Sequence, residues 1–424
     1  MTLTPEGYRP RLAESELDLM MRAFGAVSIE GPKFCGKTWL SRTRANSEIS
    51  LNDPAGQYAM RRMVEMDIMS AYDGEEPRLI DEWQEVPAIW SATKDVVDSS
   101  TRNGRFILSG SSIPLPSSKK HSGAGRLGRM RIRTMSLYES GDSSGQVSLE
   151  GLFDDKVKAA VCRTELSELV RLAVRGGWPR NIEFDESEAL IANRGYLRTI
   201  VEDAARLDGK NRNSRKIEML LRSLARNEST YASKASIAKD IREYENEDVS
   251  DTSITNYLDL LDRMYLINDQ LPFDPNYRSS VRVGSTQKRH LADPSLAVAA
   301  LDLNSSKLIE DLRTFGFIFE SMCARDLDVY ASRLGGRLLQ YRDDKGREID
   351  AVVELPDGRW GAFEIKLGAQ QIDGAAANLI RIRDYMADRG AKVPSVLCVV
   401  CGLSQAVYRR DDGVFVVPIT ALRP

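Results

Sequence analysis

Gly31-Pro32-Lys33-Phe34-Cys35-Gly36-Lys37-Thr38 has the spacing G-x-x-x-x-G-K-[ST]. Glycines at both ends let backbone N–H groups turn inward around phosphate oxygens, and a following helix adds its positive N-terminal end. Lys37 then reaches the β- and γ-phosphate oxygens, and the Thr38 hydroxyl suits a Mg²⁺ ion beside them. A nucleotide site also needs a carboxylate on the metal side and a group that polarises the attacking water. Leu79-Ile80-Asp81-Glu82 offers both at the end of an apolar run, Asp81 for the metal and Glu82 for the water. Ser109, closing the next apolar run, places a hydroxyl near the γ-phosphate, although a turn residue has the same look. No Asn-Lys-x-Asp string that reads guanine occurs, which favours ATP over GTP.

A second group lies near the C-terminus. Glu348-Ile349-Asp350 is followed, after thirteen intervening residues, by Glu364-Ile365-Lys366. Residues two apart on a strand share a face, so Glu364 and Lys366 project together. Asp350 and Glu364 then suit a clamp for Mg²⁺, with Lys366 orienting or activating water for attack on a phosphodiester. Alternating charges on a solvated hairpin produce the same letters, and both readings stand. Residues 119–133 hold six Lys or Arg and no acid. Arg126 or Arg129 there is a candidate to reach a γ-phosphate, in trans if copies of the chain associate. A local nucleic-acid contact and a solvated basic loop are the alternatives. Cys398 and Cys401 form a lone C-x-x-C within an apolar run and read as buried strand cysteines.

These residues need a scaffold. Ala26-Val27-Ser28-Ile29, Arg78-Leu79-Ile80 and Arg105-Phe106-Ile107-Leu108 are short apolar runs separated by helical patterns such as 89–97. That alternation predicts an α/β domain with a mainly parallel sheet and ligands at the carboxyl ends of its strands. The Gly/Ser-rich stretch Glu139–Gln146 marks a boundary. Residues 155–228 read as helical, broken at Gly176-Gly177-Trp178-Pro179. Further on, Ile254, Tyr257, Leu258, Leu261 and Met264 share one helical face. Beyond about residue 310 helix and strand mix again, and Leu355-Pro356-Asp357-Gly358 reads as a hairpin turn.

Length and composition bound the rest. A chain of 424 residues, 42% hydrophobic and 29% charged, has room for several cores. Its 59 Lys and Arg against 62 Asp and Glu leave a net charge of −3, so a nucleic-acid site must be local. Five cysteines make no disulfide framework, and two histidines leave little for His-based metal or hydrolase chemistry. With no apolar run of membrane-spanning length and no signal-like start, the expectation is a soluble cytoplasmic protein without a membrane partner.

Gly-Pro-x-x-x-Gly-Lys-Thr at 31–38, Leu-Ile-Asp-Glu-x-Gln-x-Val-Pro at 79–87, Ile-Leu-Ser-Gly-Ser-Ser at 107–112 and Gly-Arg at 125–126 resemble an AAA-like P-loop ATPase. In that family the domain is joined to a C-terminal domain of unknown function (the 4143 family). Gly176–Pro179, Arg215–Arg226 and His290-Leu291-Ala292-Asp293-Pro294 fit the same resemblance. Lys33 stands where the family has Arg, Ser109 where Thr is usual, and Trp39 follows the phosphate-loop Thr. The resemblance implies a P-loop NTPase parallel-sheet domain, a helical and winged-helix segment, and a restriction-endonuclease-like α/β domain of PD-(D/E)xK type. In that last fold Glu320 joins Asp350 and Glu364 at the metal. The expected division is 1–147 ATPase, 148–228 helical lid or linker, 229–285 winged-helix-like and 286–424 nuclease-like.

The second helix of the winged-helix-like part presents Ser253, Thr255, Asn256, Asp259, Asp262 and Arg263. Its aspartates oppose phosphate, so DNA reading and protein contact both stay open; Arg278, Arg282, Lys288 and Arg289 are candidates for a basic wing. The expectation is an ATP- and Mg²⁺-using ATPase coupled to a nuclease-like module acting on DNA. The alternative is an ATP-dependent switch whose nuclease-like domain is a scaffold for a protein partner. Association into homo-oligomers is compatible with either.

Overall fold

The computed structural model describes residues 3–113, 123–209, 211–276, 278 and 286–424. Lys119, Lys120 and Arg282 of the two basic stretches lie outside the described residues. The chain divides into two compact units. One comprises Met1–Thr134, Arg206–Lys210 and Asp259–Leu266, and the other Met135–Ala205, Asn211–Leu258 and Ile267–Pro424. The first of these breaks follows Thr134. Glu139–Gln146 is not a free linker: Ser136 closes a capping box on the helix Leu137–Ser140. Ser143 Oγ donates to Leu422 O at 2.6 Å, and Ser144 N to Thr420 O at 2.8 Å, which ties the stretch to the C-terminal unit.

The first unit holds β1 (Ala26–Glu30), β2 (Ser47–Ser50), β3 (Arg78–Asp81), β4 (Phe106–Gly110) and β5 (Leu127–Arg131) in one sheet, ordered β2-β3-β4-β1-β5. All neighbouring pairs are parallel. β1, β3 and β4 are buried along their whole length, as strands covered on both faces must be, which is why they read as continuous apolar runs. The helices α1 (Glu14–Ala23), α2 (Lys37–Arg42), α3 (Ala59–Met66) and α4 (Ala88–Asp98) accompany the sheet. Ile80, Phe106 and Leu108 pack with Trp83 and Trp90, whose rings lie 5.1 Å apart. β4 separates β1 from β3, so Ile29, Ser109 and Asp81 form one row across the carboxyl end of the sheet. Residues from 259–266 close on that end: Arg263 Nε donates to Ile113 O, and Ile113 N to Arg263 O, each at 2.9 Å.

The second unit is built on an eight-stranded sheet. Its order is Ala160–Val161, Ala406–Arg409, Phe415–Val417, Val396–Cys401, Trp360–Lys366, Glu348–Glu354, Arg337–Arg342, Leu271–Pro272. Arg337–Arg342, Glu348–Glu354 and Trp360–Lys366 form an antiparallel meander, the last pair joined through the expected turn at 355–358. Val396–Cys401 adds in parallel, and the helix Ile372–Asp388 packs Leu379 and Ile382 over Trp360 and Val352. Cys398 and Cys401 are fully buried in their strand. Helices span Lys234–Glu245 and Asp251–Arg263 in the expected winged-helix-like region. Gly177 N donates to Asp293 Oδ2 at 3.0 Å, and Trp178 Nε1 to Ser295 Oγ at 3.0 Å, so two of the family-like signposts meet as structural contacts. No helix among the described residues is long and apolar enough to cross a membrane.

Candidate functional site

β1 ends at Glu30, and the chain then turns through Gly31–Gly36 into α2. Gly36 has φ +102°, a conformation open to glycine and costly for residues with a Cβ. At Gly31 a Cβ would meet Ile132 O at 2.5 Å. Pro32 and Cys35 are buried, Lys33 is half-buried, and Phe34 is exposed with φ 63°. Lys37 is buried and folds back over the loop, donating to Gly31 O at 3.0 Å and Pro32 O at 2.8 Å. Two neutral carbonyls hold that ammonium, a weaker arrangement than an anion offers.

From the first residues of α2 the Thr38 hydroxyl donates to Asp81 at 3.1 Å from Oδ1 and 3.3 Å from Oδ2. Burial, with the Glu82 charge beside it, pushes the Asp81 carboxyl up to about 6, against the pull of the Ser109 and Thr38 hydroxyls. A cation at this point relieves the same penalty. The donor set of hydroxyl and carboxylate oxygens is the kind that Mg²⁺ takes. Glu82 follows in the left-handed conformation, φ 56°, which turns its side chain away from the strand direction. Gln84 Nε2 donates to Glu82 Oε2, and Ser111 Oγ donates to the same oxygen at 3.1 Å. Thus Lys37, Thr38, Asp81, Glu82 and Ser109 all sit at one end of the sheet.

Arg126 does not join them. Its carbonyl accepts from Ala26 N at the amino end of β1, and its guanidinium pairs with Asp98 at the end of α4. β1 is five residues long, which puts Arg126 roughly 16 Å from the loop, beyond an arginine's reach within its own chain. The expectation that Arg126 touches the γ-phosphate is therefore corrected for a single chain. Arg129 lies over the Trp90 ring at 4.6 Å, with Glu30 at 3.6 Å.

In the C-terminal unit the expected residues converge, but not as a bare carboxylate cluster. Lys366 Nζ lies 2.7 Å from Asp350 Oδ2 and 2.6 Å from Glu364 Oε2. Lys288 Nζ contacts Glu320 and lies 3.7 Å from both Glu348 Oε1 and Asp350 Oδ1. Ile365 N donates to Asp350 Oδ2 at 2.8 Å, and Asn378 Nδ2 to Glu364 Oε1 at 2.9 Å. Burial pushes Glu320 up to about 7, with Lys288 pulling against it. Burial works on Asp350 too, but the two lysine charges overcome it and bring that carboxyl down to about 2. Burial and the Asp350 charge push Glu364 up to about 8. Among the described residues no group of three or more His, Cys, Asp and Glu is arranged to hold a metal ion. Lysine ammonium groups stand between the carboxylates instead. Lys288 is hence corrected from a basic-wing residue to a buried one, and Arg289 pairs with Asp269 rather than facing solvent freely.

Residues 23–140 match the family model of an AAA domain. This stretch is an AAA-type P-loop domain. Residues 166–307 match a domain of unknown function (DUF8612), and residues 315–422 another (DUF4143). An uncharacterized protein of Mycobacterium tuberculosis is 26% identical over 366 residues, 84% of this chain and 73% of its own length; a Mycobacterium bovis protein matches equally. Among solved structures, a Walker-type ATPase of Pyrococcus abyssi is similar at 13% identity and TM-score 0.46, over 70% of this chain and 97% of that one. AMPPCP-bound DnaA from Aquifex aeolicus is similar at 17% identity and TM-score 0.27, over 61% of this chain and 89% of that one.

Two contributors within the AAA domain escaped the sequence reading. Arg11, buried, donates to Cys35 O at 2.8 Å and to Arg133 O at 2.8 Å, bracing the phosphate loop from the N-terminal segment. Nothing local marks that arginine among the other charged residues near the start. Gln84 and Ser111 hold Glu82, and they had appeared in the family-like strings at 79–87 and 107–112 without a role.

Proposed function

We propose that the AAA domain binds ATP with Mg²⁺ and hydrolyses it. The observation that carries this is the Thr38–Asp81 contact beside a buried Lys37. Gly31–Gly36 amides and Lys37 bind the phosphates, while Thr38 and Asp81 hold the metal side. Bound Mg²⁺ would neutralise charge on the phosphate oxygens. Glu82, oriented by Gln84 and Ser111, takes a proton from the attacking water. Ser109 adds a hydroxyl between the β1 and β3 ends. Phosphate release from ATP by the full chain, with Mg²⁺ and with EDTA, tests this; equal rates in the two, or none in either, count against it.

We further propose that nucleotide turnover is coupled to the C-terminal unit, where Asp350, Glu364, Lys366 and Glu320 act on a phosphodiester, with DNA as substrate. Their convergence from separate strands and a helix supports the reading. Metal-dependent cleavage of single-stranded, double-stranded or branched DNA, lost in Lys366→Ala, is its test. The lysines paired to every carboxylate of the group favour a second reading, in which the unit is a protein-binding scaffold and ATP drives a switch; wild type that cleaves none of these DNAs supports it.

A further inference from the structure

We propose that Lys288 is a built-in cation that fills the C-terminal carboxylate group and holds it closed to divalent metal. The inference rests on the reading of Glu320, Asp350 and Glu364 as a metal-binding set and adds how that set is controlled. Lysine is rarely buried unless paired, and the Lys288 side chain is 1% exposed. Its ammonium faces carboxylates from two elements, Glu320 on the helix Leu312–Arg333 and Glu348 and Asp350 on the strand Glu348–Glu354. Asp350 is shared: Oδ1 faces Lys288 and Oδ2 faces Lys366. A divalent cation needs oxygens at 2.0–2.6 Å, so it cannot share this point with an ammonium.

Lys288 is delivered by a bridge to Gln270, with Gln270 N donating to Lys288 O at 2.9 Å and Lys288 N to Gln270 O at 3.1 Å, outside the strand ladders. Its neighbours are held too: Arg289 N donates to Thr230 O at 2.7 Å and Asn268 N to His290 O at 2.8 Å. Directly opposed residues of such a pair place their side chains on the same face. The Gln270 side chain, 4% exposed, has neither its Nε2 nor its Oε1 hydrogen bonded among the described residues. A buried amide with both ends unmet, on the face that carries Lys288, suits a hydrated cation, whose waters both donate and accept. Withdrawal of Lys288 would leave Glu320, Glu348 and Asp350 without the ammonium that now lies among them.

Mn²⁺ alone, titrated into the full chain without nucleotide and followed by the EPR signal of the free ion, tests this. The variants are Lys288→Ala, Lys288→Met and Lys288→Ala/Asp350→Asn. The expected result is one additional Mn²⁺ site in Lys288→Ala and Lys288→Met, at least tenfold tighter than in wild type and lost in the double variant. If Lys288→Ala folds only when Mn²⁺ is present, by thermal unfolding, the metal has replaced the lysine and the proposal stands. Wild type binding Mn²⁺ through Asp350 as tightly as the variants would leave the metal-site reading intact and overturn the role of Lys288. Folded variants that gain no Mn²⁺, or variants that Mn²⁺ does not restore, overturn the proposal together with that reading.

Discussion

The Thr38 hydroxyl lies 3.1 Å from Asp81 Oδ1, although the two residues belong to α2 and to a strand that is not the neighbour of β1. β4 runs between them, and Ser109 at its end stands in register with both Ile29 and Asp81. Parallel strands bring all their carboxyl ends to one edge, so a loop, a hydroxyl and a carboxylate meet there from three separate strand ends. That edge is where phosphate, metal and water must coincide for hydrolysis.

Among the described residues the Lys37 ammonium donates within its own loop, to Gly31 O and Pro32 O. Lys37→Ala should therefore keep the fold while weakening ATP binding by about 10–100-fold, the worth of one or two charge-assisted hydrogen bonds. Calorimetric titration with ATP, paired with a melting curve, measures both.

Asp81 carries a stability cost that serves the site. Its carboxyl titrates near 6 in the folded chain and near the ordinary 3.8 when unfolded. The folded state holds the extra proton between those values, so stability falls as pH rises from about 4 to 6 and then levels. Asp81→Asn removes the penalty and should stabilise the domain on the order of 2 kcal/mol at pH 7.5, with little gain at pH 4, while abolishing ATP turnover. Denaturant unfolding at the two pH values checks the difference.

Arg11→Ala should cost about 2–4 kcal/mol through two charge-assisted hydrogen bonds, one buried and one half-buried, and should lower ATP affinity as the loop loosens. Arg11→Lys, able to keep one of the two bonds, should fall between. Melting temperature and ATP affinity together give the readout.

Arg126→Ala should leave turnover within about twofold at low protein concentration, because the guanidinium sits at the far end of β5 against Asp98. Steady-state phosphate release across a dilution series measures it. A tenfold loss that appears only at high concentration would point to an arginine supplied by another copy.

The loop, its strand and its helix were legible because glycines, Lys37 and Thr38 are contiguous and their roles follow from local geometry. Asp81 and Glu82 were legible as a strand end, but the interposed β4 was not, since strand order is set by crossover packing far along the chain. Lys288 was misread for a clear reason: it sits next to Arg289 in a polar run, and only the fold reveals Glu320, Glu348 and Asp350 around it. Arg126 was misplaced because a Gly-Arg string does not say at which end of a parallel strand it falls. Glu139–Gln146 looks like a linker by composition, yet Ser143 and Ser144 donate to Leu422 O and Thr420 O near the C-terminus.

ATP turnover measured side by side in wild type, Lys37→Ala and Glu82→Gln, with Mg²⁺ and saturating ATP, is the most direct test of the nucleotide site. The structure predicts hydrolysis by wild type and none by Lys37→Ala. It predicts a loss of about 10²-fold or more in Glu82→Gln with ATP binding retained, since Gln keeps the shape and cannot take the proton. Turnover unchanged in both variants would contradict the assignment of Gly31–Thr38, Asp81 and Glu82 as the site of hydrolysis.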